Sequence, residues 1–550
     1  MLGSQMTIKT PLEMLYEQIE NRPDQLFLNQ PVNGQVKQFT WKDFDLQVRK
    51  VAQGLKNLDL PEGSHIALIS KNCAEWFITD LAIMLAGHIS VPIFPTAGPD
   101  TIKYVLDHAK CPVIFVGKLE NAAEQIKAVP EEVKSIGFPY EGVKCDIDWQ
   151  SFTDVEPFEG KRVPAMDEVM TIIYTSGSTG NPKGVVHTYE AISWTGNSSL
   201  DALTVDDNDR ILSYLPLSHI TERILVEMAS LYSGMQIFFI ESLDTFKTDI
   251  QRAQPTLFIS VPRLWTRFQM GVLSQMPQKK LDFMLKIPIF GGIVAKKIRN
   301  GLGLNNARLW ASGSAPISPA TIKWFSKIGI NISEGWGMTE NCAYGTSSVP
   351  FRMDKVGCIG KAYEGVDVRI SDEGEIQVKG PCNMKEYYLE PEKTAEVFTD
   401  DGYLRTGDKG EIDGDGYVRI TGRLKDIFKT AKGKYVTPVP IESSLMENSY
   451  IEQVCVTGSS LKQPIAMLVL SEDAKKLDKE TVTESLTTTL NDVNAKLESH
   501  QVLDRLIVVK EEWTIENDML TPTLKIKRHV LEKKYHDVIN SSYKDKVVWL

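Results

Sequence analysis

The chain contains 550 residues, carries a formal net charge of −11, and is 42% hydrophobic and 24% charged. A chain of this length exceeds what one hydrophobic core supports, so we expect at least two domains. The acidic balance argues against a surface that binds nucleic acid. Seven scattered cysteines without a C-x-x-C pair exclude a zinc ribbon and indicate reduced thiols. With neither a secretory signal nor a run of about 20 apolar residues, a cytoplasmic protein is predicted.

The N-terminal part of the chain alternates between helical and strand patterns. Helices are predicted at 11–19, 40–55 and 102–107, and strands at 65–69, 89–93, 113–116, 210–214, 235–240 and 257–261. Alternation of this kind is typical of parallel sheets covered by helices.

The pattern changes after about Gly360 to short strands and glycine turns, which predict a small β-rich subdomain over about 360–424. From 425 to 550 the pattern becomes α+β. We therefore predict an α/β fold with a large N-terminal domain at 1–424 and a small α+β C-terminal domain at 425–550. The boundary is expected within Gly422–Asp426.

The most informative segment is the loop from Thr175 to Gly184, which holds three glycines, four hydroxyl side chains and Lys183. Glycines allow backbone N–H groups to converge, and hydroxyls and a lysine add donors, so the loop can bind phosphates. A Walker loop is excluded, because Pro182 precedes the lysine and an apolar strand follows it, with a helix starting near Thr188. The alternative is a flexible surface linker, although such linkers rarely join two apolar strands.

Other candidate residues follow predicted strands, where ligands bind in parallel sheets. His219 is one, although a purely structural histidine is an equally good interpretation. The small residues Gly313, Ser314 and Ala315 would let a flat base lie against the backbone, or they form an ordinary strand-end turn. The next group combines a backbone bend, an aromatic wall and a carboxylate that suits Mg²⁺; it comprises Glu334, Gly335, Trp336, Gly337 and Glu340.

Two further candidates lie nearer the C-terminus. Asp408 follows a predicted strand and a glycine, which suits acceptance of hydrogen bonds from a ribose diol. The nearby segment 413–416 lacks the later positions of a calcium loop and is predicted to be a hairpin turn. Lys525, taken alone, is one of several solvated lysines in the tail.

In this order, the segments closely resemble the AMP-forming acyl-CoA synthetases of the adenylate-forming superfamily. The match covers nearly the whole chain and rests on the motifs YTSGSTGxPKG, GWGMTE, TGD and GRxKD. The segments 215–223 and 520–528 are similar to the long-chain fatty acid branch. Thr523-Leu524 stands where the superfamily commonly has Ser-Gly, so the assignment of Lys525 rests on the Pro-x-x-Lys spacing.

The resemblance implies a two-step reaction that uses ATP, Mg²⁺ and coenzyme A. A fatty acid carboxylate attacks the α-phosphate and releases pyrophosphate, and the thiol of coenzyme A then displaces AMP from the acyl-adenylate. The C-terminal domain is expected to be mobile and to rotate between the two steps about a hinge at Lys425. Charge neutralisation and positioning should dominate catalysis, because an anion attacks a polyanion.

The resemblance also assigns roles to individual residues. It gives the β- and γ-phosphates to Thr175, Ser176, Gly177, Ser178, Thr179, Gly180 and Lys183. It gives the α-phosphate to Thr339, Mg²⁺ to Glu340, and adenine to Gly313, Ser314, Ala315, Glu334, Gly335, Trp336 and Gly337. By the same resemblance, Asp408 and Arg423 contact the ribose, and Lys525 acts in the first chemical step. His219 lies near the acyl carboxylate and the thiol path, and Gly433 and Lys434 belong to the loop that takes part in thioester formation.

Several alternatives stay open at this point. The acceptor is coenzyme A or, in an acyl-AMP ligase, a carrier protein, and a degenerate inactive nucleotide-binding scaffold is a third interpretation. Trp194 and the region 226–232 are candidates for the acyl-pocket wall. The segment 286–299 is apolar with basic ends; it predicts either a buried helix with solvated lysines, which we favour, or weak peripheral contact with a membrane. A monomer or a homodimer is expected.

Overall fold

The computed structural model describes residues 8–175, 181–515, 517–521 and 525–550. The segment Ser176–Gly180 of the predicted phosphate loop lies outside the described residues. Among the helices that the structure describes, none is long and apolar enough to cross a membrane.

One large sheet places several loop candidates along a single edge. Its strands, in spatial order, are Lys361–Ala362, Thr346–Ser347, Ile332–Trp336, Leu309–Ser312, Leu257–Ser260, Arg210–Ser213, Gln236–Phe239, Leu26–Val32 and Gln35–Thr40. The central strands from Ile332–Trp336 to Gln236–Phe239 pair in parallel. Their carboxyl ends therefore share one edge, where a cleft forms in α/β sheets.

A second large sheet carries the two strands that flank the glycine-rich loop. Its strands, in spatial order, are Glu386–Tyr387, Lys183–Thr188, Val169–Thr175, Ile89–Ile93, His65–Ile69, Val113–Val116, Lys134–Gly137 and Ile147–Asp148. Val169–Thr175 and Lys183–Thr188 pair antiparallel, with Thr175 opposite Lys183. The prediction that the loop joins two paired apolar strands, rather than opening a helix, is confirmed.

Smaller sheets follow in the C-terminal third of the chain. The antiparallel strands Asp367–Ile370, Glu375–Lys379, Leu404–Ile412 and Val418–Arg423 form one sheet, and Phe428–Lys429 and Tyr435–Val436 form a hairpin. The last sheet contains Ile451–Thr457, Ile465–Leu470, Leu506–Val508 and Val547–Trp549. This last sheet has its own apolar clusters, separate from those of the large sheets.

Helices cover the sheets on both faces. The α-helices are Pro11–Asn21, Trp41–Lys56, Ala74–Ala86, Pro99–Ala109, Ala122–Ile126, Trp149–Thr153, Tyr189–Leu203, Ile220–Glu222, Ala229–Ser233, Phe246–Ala253, Pro262–Gln275, Gln278–Leu285, Phe290–Gly301, Pro319–Ser326, Pro391–Val397, Pro438–Leu445, Lys479–Asn494, Arg528–Lys534 and His536–Asn540. Arg223–Met228 is π-helical, and Thr339–Asn341, Met353–Lys355 and Ala474–Lys476 are 3₁₀ turns.

The predicted α/β fold class, with a large N-terminal part and a smaller C-terminal part, is confirmed by these sheets. The helix predicted to start at Thr40 begins there because Thr40 and Asp43 cap it reciprocally. The sequence reading missed the hairpin Leu26–Thr40. Its signal was Asn33-Gly34, whose positive φ values of 50° and 75° suit a tight hairpin turn.

A buried ion pair ties the two large sheets together. Both Arg223 and Asp80 have fully buried side chains, and Arg223 Nη2 lies 2.5 Å from Asp80 Oδ2. Arg223 Nη1 also donates to Thr171 Oγ1 at 2.6 Å. Glu227 Oε2 lies 3.6 Å from Arg223 Nε, and burial raises the pKa of Glu227 well above its usual range. A neutral Glu227 therefore leaves Asp80 as the counter-charge of Arg223.

Replacing Arg223 by alanine is expected to lower the free energy of unfolding by about 3–5 kcal/mol, because it leaves the Asp80 carboxylate buried and unpaired. Urea denaturation measures the change. The control is Arg352→Ala, which breaks the exposed pair with Asp354 and should cost no more than about 1 kcal/mol. Equal losses in the two variants would contradict the assigned buried pair.

Candidate active site

A cleft opens at the carboxyl edge of the large parallel sheet. Its lining combines a polar part, made of backbone and small polar side chains, with an apolar part. The wall residues are Leu203, Thr221, Leu225, Ile259, Ala311, Ser312, Gly313, Ser314, Ser333, Glu334, Gly335, Trp336, Gly337, Ala343, Ser347, Val349 and Tyr363. The structure thus brings the predicted residues 313–314 and 334–337 together. Ala315 adjoins Ser314 in the chain and is exposed.

Glycines make the polar wall flat. A Cβ atom at Gly313 would lie 3.2 Å from the carbonyl oxygen of Gly335, and one at Gly337 would lie 2.3 Å from the Ala343 carbonyl carbon. A side chain at Gly337 would therefore displace backbone. Glu334 lies on the same wall, where burial raises the pKa of its carboxyl group to about 7 although the backbone N–H of Gly357 donates to it.

Asp408 is held between two donors. Trp336 Nε1 donates to its Oδ2 at 3.0 Å, and Arg423 Nε donates to its Oδ1 at 2.9 Å. Asp408 and Arg423 face each other across two antiparallel strands. Each carboxylate oxygen keeps a second lone pair, so the buried Asp408 can still accept hydrogen bonds from a diol.

Glu340 and Lys183 meet at Tyr387. The Tyr387 hydroxyl donates to Glu340 Oε1 at 2.7 Å, and Lys183 Nζ lies 4.4 Å from the centre of the Tyr387 ring. Desolvation and the nearby cations Lys393 and Lys425 lower the pKa of Lys183, while Glu340 opposes them. Lys425, the predicted hinge, is exposed and lies close enough to Lys183 to lower the pKa of the Lys183 ammonium group.

Thr339 is fixed through its backbone by a buried histidine. His187 Nε2 donates to the carbonyl oxygen of Thr339 at 2.8 Å, and the Cys342 thiol donates to His187 Nδ1 at 3.4 Å. Burial lowers the pKa of His187 to about 4, so the ring is neutral near pH 7. A neutral ring with its proton on Nε2 can donate from Nε2 and accept at Nδ1, as these two hydrogen bonds require. His187 lies on the return strand Lys183–Thr188, so it ties the Thr339–Glu340 turn to the strand that follows the glycine-rich loop.

Lys525 comes from the C-terminal part of the chain and lies close enough to Arg423, Asp408 and Glu340 for their charges to act on its ammonium group. Desolvation and Arg423 lower the pKa of its ammonium group, while Asp408 and Glu340 raise it. Its side chain is exposed, and its backbone carbonyl accepts from Thr521 N at 2.8 Å. Lys525 is thus a solvated lysine that lies near the other candidate residues, and its role in the first chemical step stays a prediction.

His219 lies close enough to Lys525 for the charge of the lysine to act on its ring. Burial, together with the charge of Lys525, lowers the pKa of His219 to about 4. Its Nδ1 accepts from the backbone N–H of Thr221 at 3.3 Å, which leaves Nε2 as the protonated nitrogen. The adjacent Glu222 and Arg223 do not pair with each other. Ser213 and Asn72 bind Glu222, while Asp80 binds Arg223.

The predicted residues that remain are Thr175 to Gly180, Gly433 and Lys434. Thr175 ends its strand opposite Lys183, whereas Ser176, Gly177, Ser178, Thr179 and Gly180 are outside the described residues. Gly433 and Lys434 form the exposed turn of the small hairpin, with Gly433 at φ 75°. Leu225 lines the cleft, whereas the apolar residues of 226–232 pack into the core, and the assignment of 226–232 to the acyl-pocket wall stays a prediction.

The sequence reading missed Tyr387 and His187. Tyr387 had no motif of its own and reaches Glu340 only because its strand pairs with Lys183–Thr188. His187 directly follows Val185-Val186 in the return strand. A histidine in an apolar strand next to the predicted phosphate loop could have been recognised from the sequence as a candidate site residue.

A family model described as AMP-binding enzyme matches residues 15–388, and one described as AMP-binding enzyme C-terminal domain matches 425–547. The chain belongs to the AMP-binding enzyme family. Fatty acyl-CoA synthetase B of Dictyostelium discoideum is 28% identical, over 93% of this chain and 86% of that protein. A long-chain-fatty-acid–CoA ligase of Mycobacterium bovis is 27% identical, over 96% of both chains. The predicted resemblance to AMP-forming acyl-CoA synthetases is confirmed.

A solved structure supports the fold of this AMP-binding enzyme. The anthranilate CoA ligase AuaEII in complex with anthranoyl-AMP superposes with a TM-score of 0.80 at 21% identity, over 97% of this chain and 99% of that chain.

The site also fits a magnesium ion brought with a nucleotide. Within the described residues, no group of three or more His, Cys, Asp or Glu side chains could hold a metal by itself. Mg²⁺ commonly takes one or two protein carboxylates and completes its shell with phosphates and water. Tyr387 donates to Oε1 of Glu340 and so orients the carboxylate for such a role.

Tyr387→Phe is expected to weaken Mg-ATP binding about tenfold, since it removes a hydrogen bond to a carboxylate. Tyr387→Leu should weaken it about threefold further, because the contact between Lys183 and the ring is lost as well. Calorimetric titration measures both. Tyr140→Phe removes an equivalent tyrosine–glutamate bond outside the cleft, that of Tyr140 to Glu75 at 2.8 Å, and should leave the dissociation constant unchanged. If Tyr387→Phe matched that control, Tyr387 would have no role in the site.

Proposed function

We propose that the protein activates a long- or medium-chain fatty acid with Mg-ATP and transfers the acyl group to coenzyme A. In the first step a carboxylate oxygen forms a bond to the α-phosphorus, and the bond from that phosphorus to the pyrophosphate oxygen breaks. In the second step the thiol sulfur bonds to the acyl carbon, the thiol proton is released, and the carbon–oxygen bond to AMP breaks. The near full-length similarity to curated long-chain acyl-CoA ligases supports the choice of substrate.

The observation that carries the proposal is the position of Lys525 near Glu340, Asp408, Arg423 and His219. The first step brings a carboxylate against a polyanionic phosphate chain, so cations must lie where the two anions meet. Lys525 is a cation in a partly desolvated cleft, where its electrostatic effect is stronger than in water. We assign it to the approaching carboxylate and the α-phosphate.

The remaining nucleotide contacts follow from the same arrangement. Lys183 and the loop that begins at Thr175 bind the β- and γ-phosphates. Thr339 contacts the α-phosphate, and Glu340 is the carboxylate that holds Mg²⁺, which supplies charge neutralisation on the phosphates when bound. The flat wall at residues 313–315 and 334–337 takes the adenine, and Asp408 with Arg423 takes the ribose hydroxyls.

The second step requires that Lys525 leave the acyl-adenylate. We assign the hinge to Lys425, which is exposed between the two sheet systems, and the approach of the thiol to a rotated C-terminal part that presents Gly433 and Lys434. We assign the acyl carboxylate and the thiol path to His219. Near pH 7 its ring is uncharged, so it adds no second positive charge beside Lys525.

The acyl chain is assigned to the apolar wall. Leu225, Ile259, Ala343, Val349 and Tyr363 line the same cleft as residues 313–314 and 334–337. Tyr363 stacks on Tyr344 with ring centres 3.9 Å apart. Burial of methylene groups against these side chains would bind the acid by about 0.8 kcal/mol per group.

Two measurements on the purified protein test the reaction. We expect fatty-acid-dependent release of pyrophosphate from ATP, followed by formation of a thioester when coenzyme A is added. A panel of acids of increasing length reports the chain preference. Pyrophosphate release without thioester formation would favour a ligase that serves a carrier protein. No release with any acid would overturn the proposal in favour of an inactive nucleotide-binding protein.

Replacing Lys525 by alanine is expected to reduce pyrophosphate release by at least about 100-fold, as removal of a group that stabilises transition-state charge does. Thioester formation from supplied acyl-adenylate should be largely preserved, since Lys525 serves only the first step. Lys527→Ala is the matched control, because Lys527 pairs with Asp518 outside the cleft. Equal loss of both steps in Lys525→Ala would refute the assignment.

A further inference from the structure

An exposed apolar surface lies at the turn between the helices Gln278–Leu285 and Phe290–Gly301. Its five side chains, Phe283, Ile287, Ile289, Phe290 and Ile293, have exposed fractions of 68%, 38%, 88%, 44% and 59%; we call them the hairpin-tip patch. The second helix buries only Gly291, Val294 and Ala295. The favoured sequence interpretation, a buried helix with solvated lysines, therefore applies to one side of this helix only.

The turn presents the patch in a fixed conformation. Ile289 has φ 66° and ψ −51°, which is costly for a β-branched residue and persists only where the surroundings impose it. A Cβ atom at Gly291 would lie 2.4 Å from the carbonyl oxygen of Leu285, so the two helices approach closely there. Gly291 N donates to Ile287 O at 2.8 Å. The structure thus holds Ile289 outward, and its 88% exposure means that it protrudes.

The charges around the patch are opposite in sign to those of the whole chain. Between Gln278 and Gly301 there are six cations and one acid, in a chain of net charge −11. The cations are Lys279, Lys280, Lys286, Lys296, Lys297 and Arg299. The five lysines are exposed, and none of them forms a salt bridge with another described residue. The acid, Asp282, is paired with Lys327 at 2.8 Å.

Helical spacing places these lysines beside the apolar side chains. Lys279 and Lys280 lie four and three residues before Phe283, and Lys286 lies three residues after it, so all are neighbours on one helix face. In the second helix, Lys297 follows Ile293 by four residues. Long lysine stems can extend past apolar side chains and keep their ammonium groups at a polar boundary.

We propose that the hairpin-tip patch binds the surface of a bilayer that contains anionic lipids. The apolar tip would enter the boundary between headgroups and acyl chains, and the lysines would contact the phosphate groups. A second copy of the chain is a poorer partner, because a two-fold interface would place five lysines against five. The inference is independent of the catalytic assignments, since binding is measured without substrate.

The test is sedimentation of the full-length protein with vesicles. With an equal mixture of phosphatidylcholine and phosphatidylserine we expect binding that weakens as salt increases, and little binding to phosphatidylcholine alone. Ile289→Ser should weaken binding about fivefold or more, because it removes a protruding apolar side chain. The pair Lys296→Gln and Lys297→Gln should weaken it roughly fivefold for each lysine.

Matched controls come from elsewhere on the surface. Val163→Ser removes another exposed apolar side chain, 63% exposed, and Lys475→Gln with Lys476→Gln removes another adjacent, exposed lysine pair. Both should bind vesicles like the unchanged protein. All variants should keep the same unfolding midpoint, because the substituted side chains are exposed.

Three results would overturn the proposal. The first is no sedimentation of the unchanged protein with the anionic vesicles. The second is equal binding by the patch variants and their controls. The third is a dimer in sedimentation equilibrium that Ile289→Ser converts to a monomer while vesicle binding stays the same, since the patch would then be covered by a second copy.

Discussion

The candidate site depends on opposite charges that meet from separate parts of the chain. Lys525 comes from the C-terminal part, Asp408 and Arg423 from paired strands of the small antiparallel sheet, and Glu340 from the large N-terminal part. A cation in a partly desolvated cleft is unfavourable without counter-charges, because desolvation disfavours its charged form. Asp408 and Glu340 supply them until a nucleotide enters. The site is thus arranged around charges that a polyphosphate and a carboxylate can take over.

Much of the site could be predicted because its chemistry lies in contiguous motifs. The glycine-rich loop, the Gly-Trp-Gly bend and the Thr-Gly-Asp turn each combine special backbone needs with reactive side chains, so they are readable one by one. The sequence could not show that Tyr387 lies between Glu340 and Lys183, because that contact follows from strand pairing across about 200 residues. Nor could it show that Glu222 and Arg223, adjacent in the chain, face different partners, since the π-helical turn that begins at Arg223 sets their directions.

Buried groups link the parts of the cleft that carry those motifs. His187 joins the strand after the glycine-rich loop to the turn at Thr339, and Arg223 joins the segment after His219 to the strand that carries Thr171. Both use buried, well-aligned hydrogen bonds, which are expensive to break. The candidate nucleotide-binding residues of the large part therefore rest on a stiff framework, which agrees with the proposal that the C-terminal part moves between the two steps.

A partly exposed ion pair, rather than a buried hydrogen bond, joins the N-terminal and C-terminal parts of the chain. Arg263, in the helix Pro262–Gln275, pairs with Glu452 at 2.5 Å, and both side chains are partly exposed, at 39% and 25%. Exposed pairs of this type contribute about 1 kcal/mol or less. A contact of that strength can hold Lys525 in the cleft for one step without preventing its withdrawal for the next. Under the proposed two-step reaction, a buried contact at this interface would favour the first half-reaction at the expense of the second, so a weak polar contact suits that proposal.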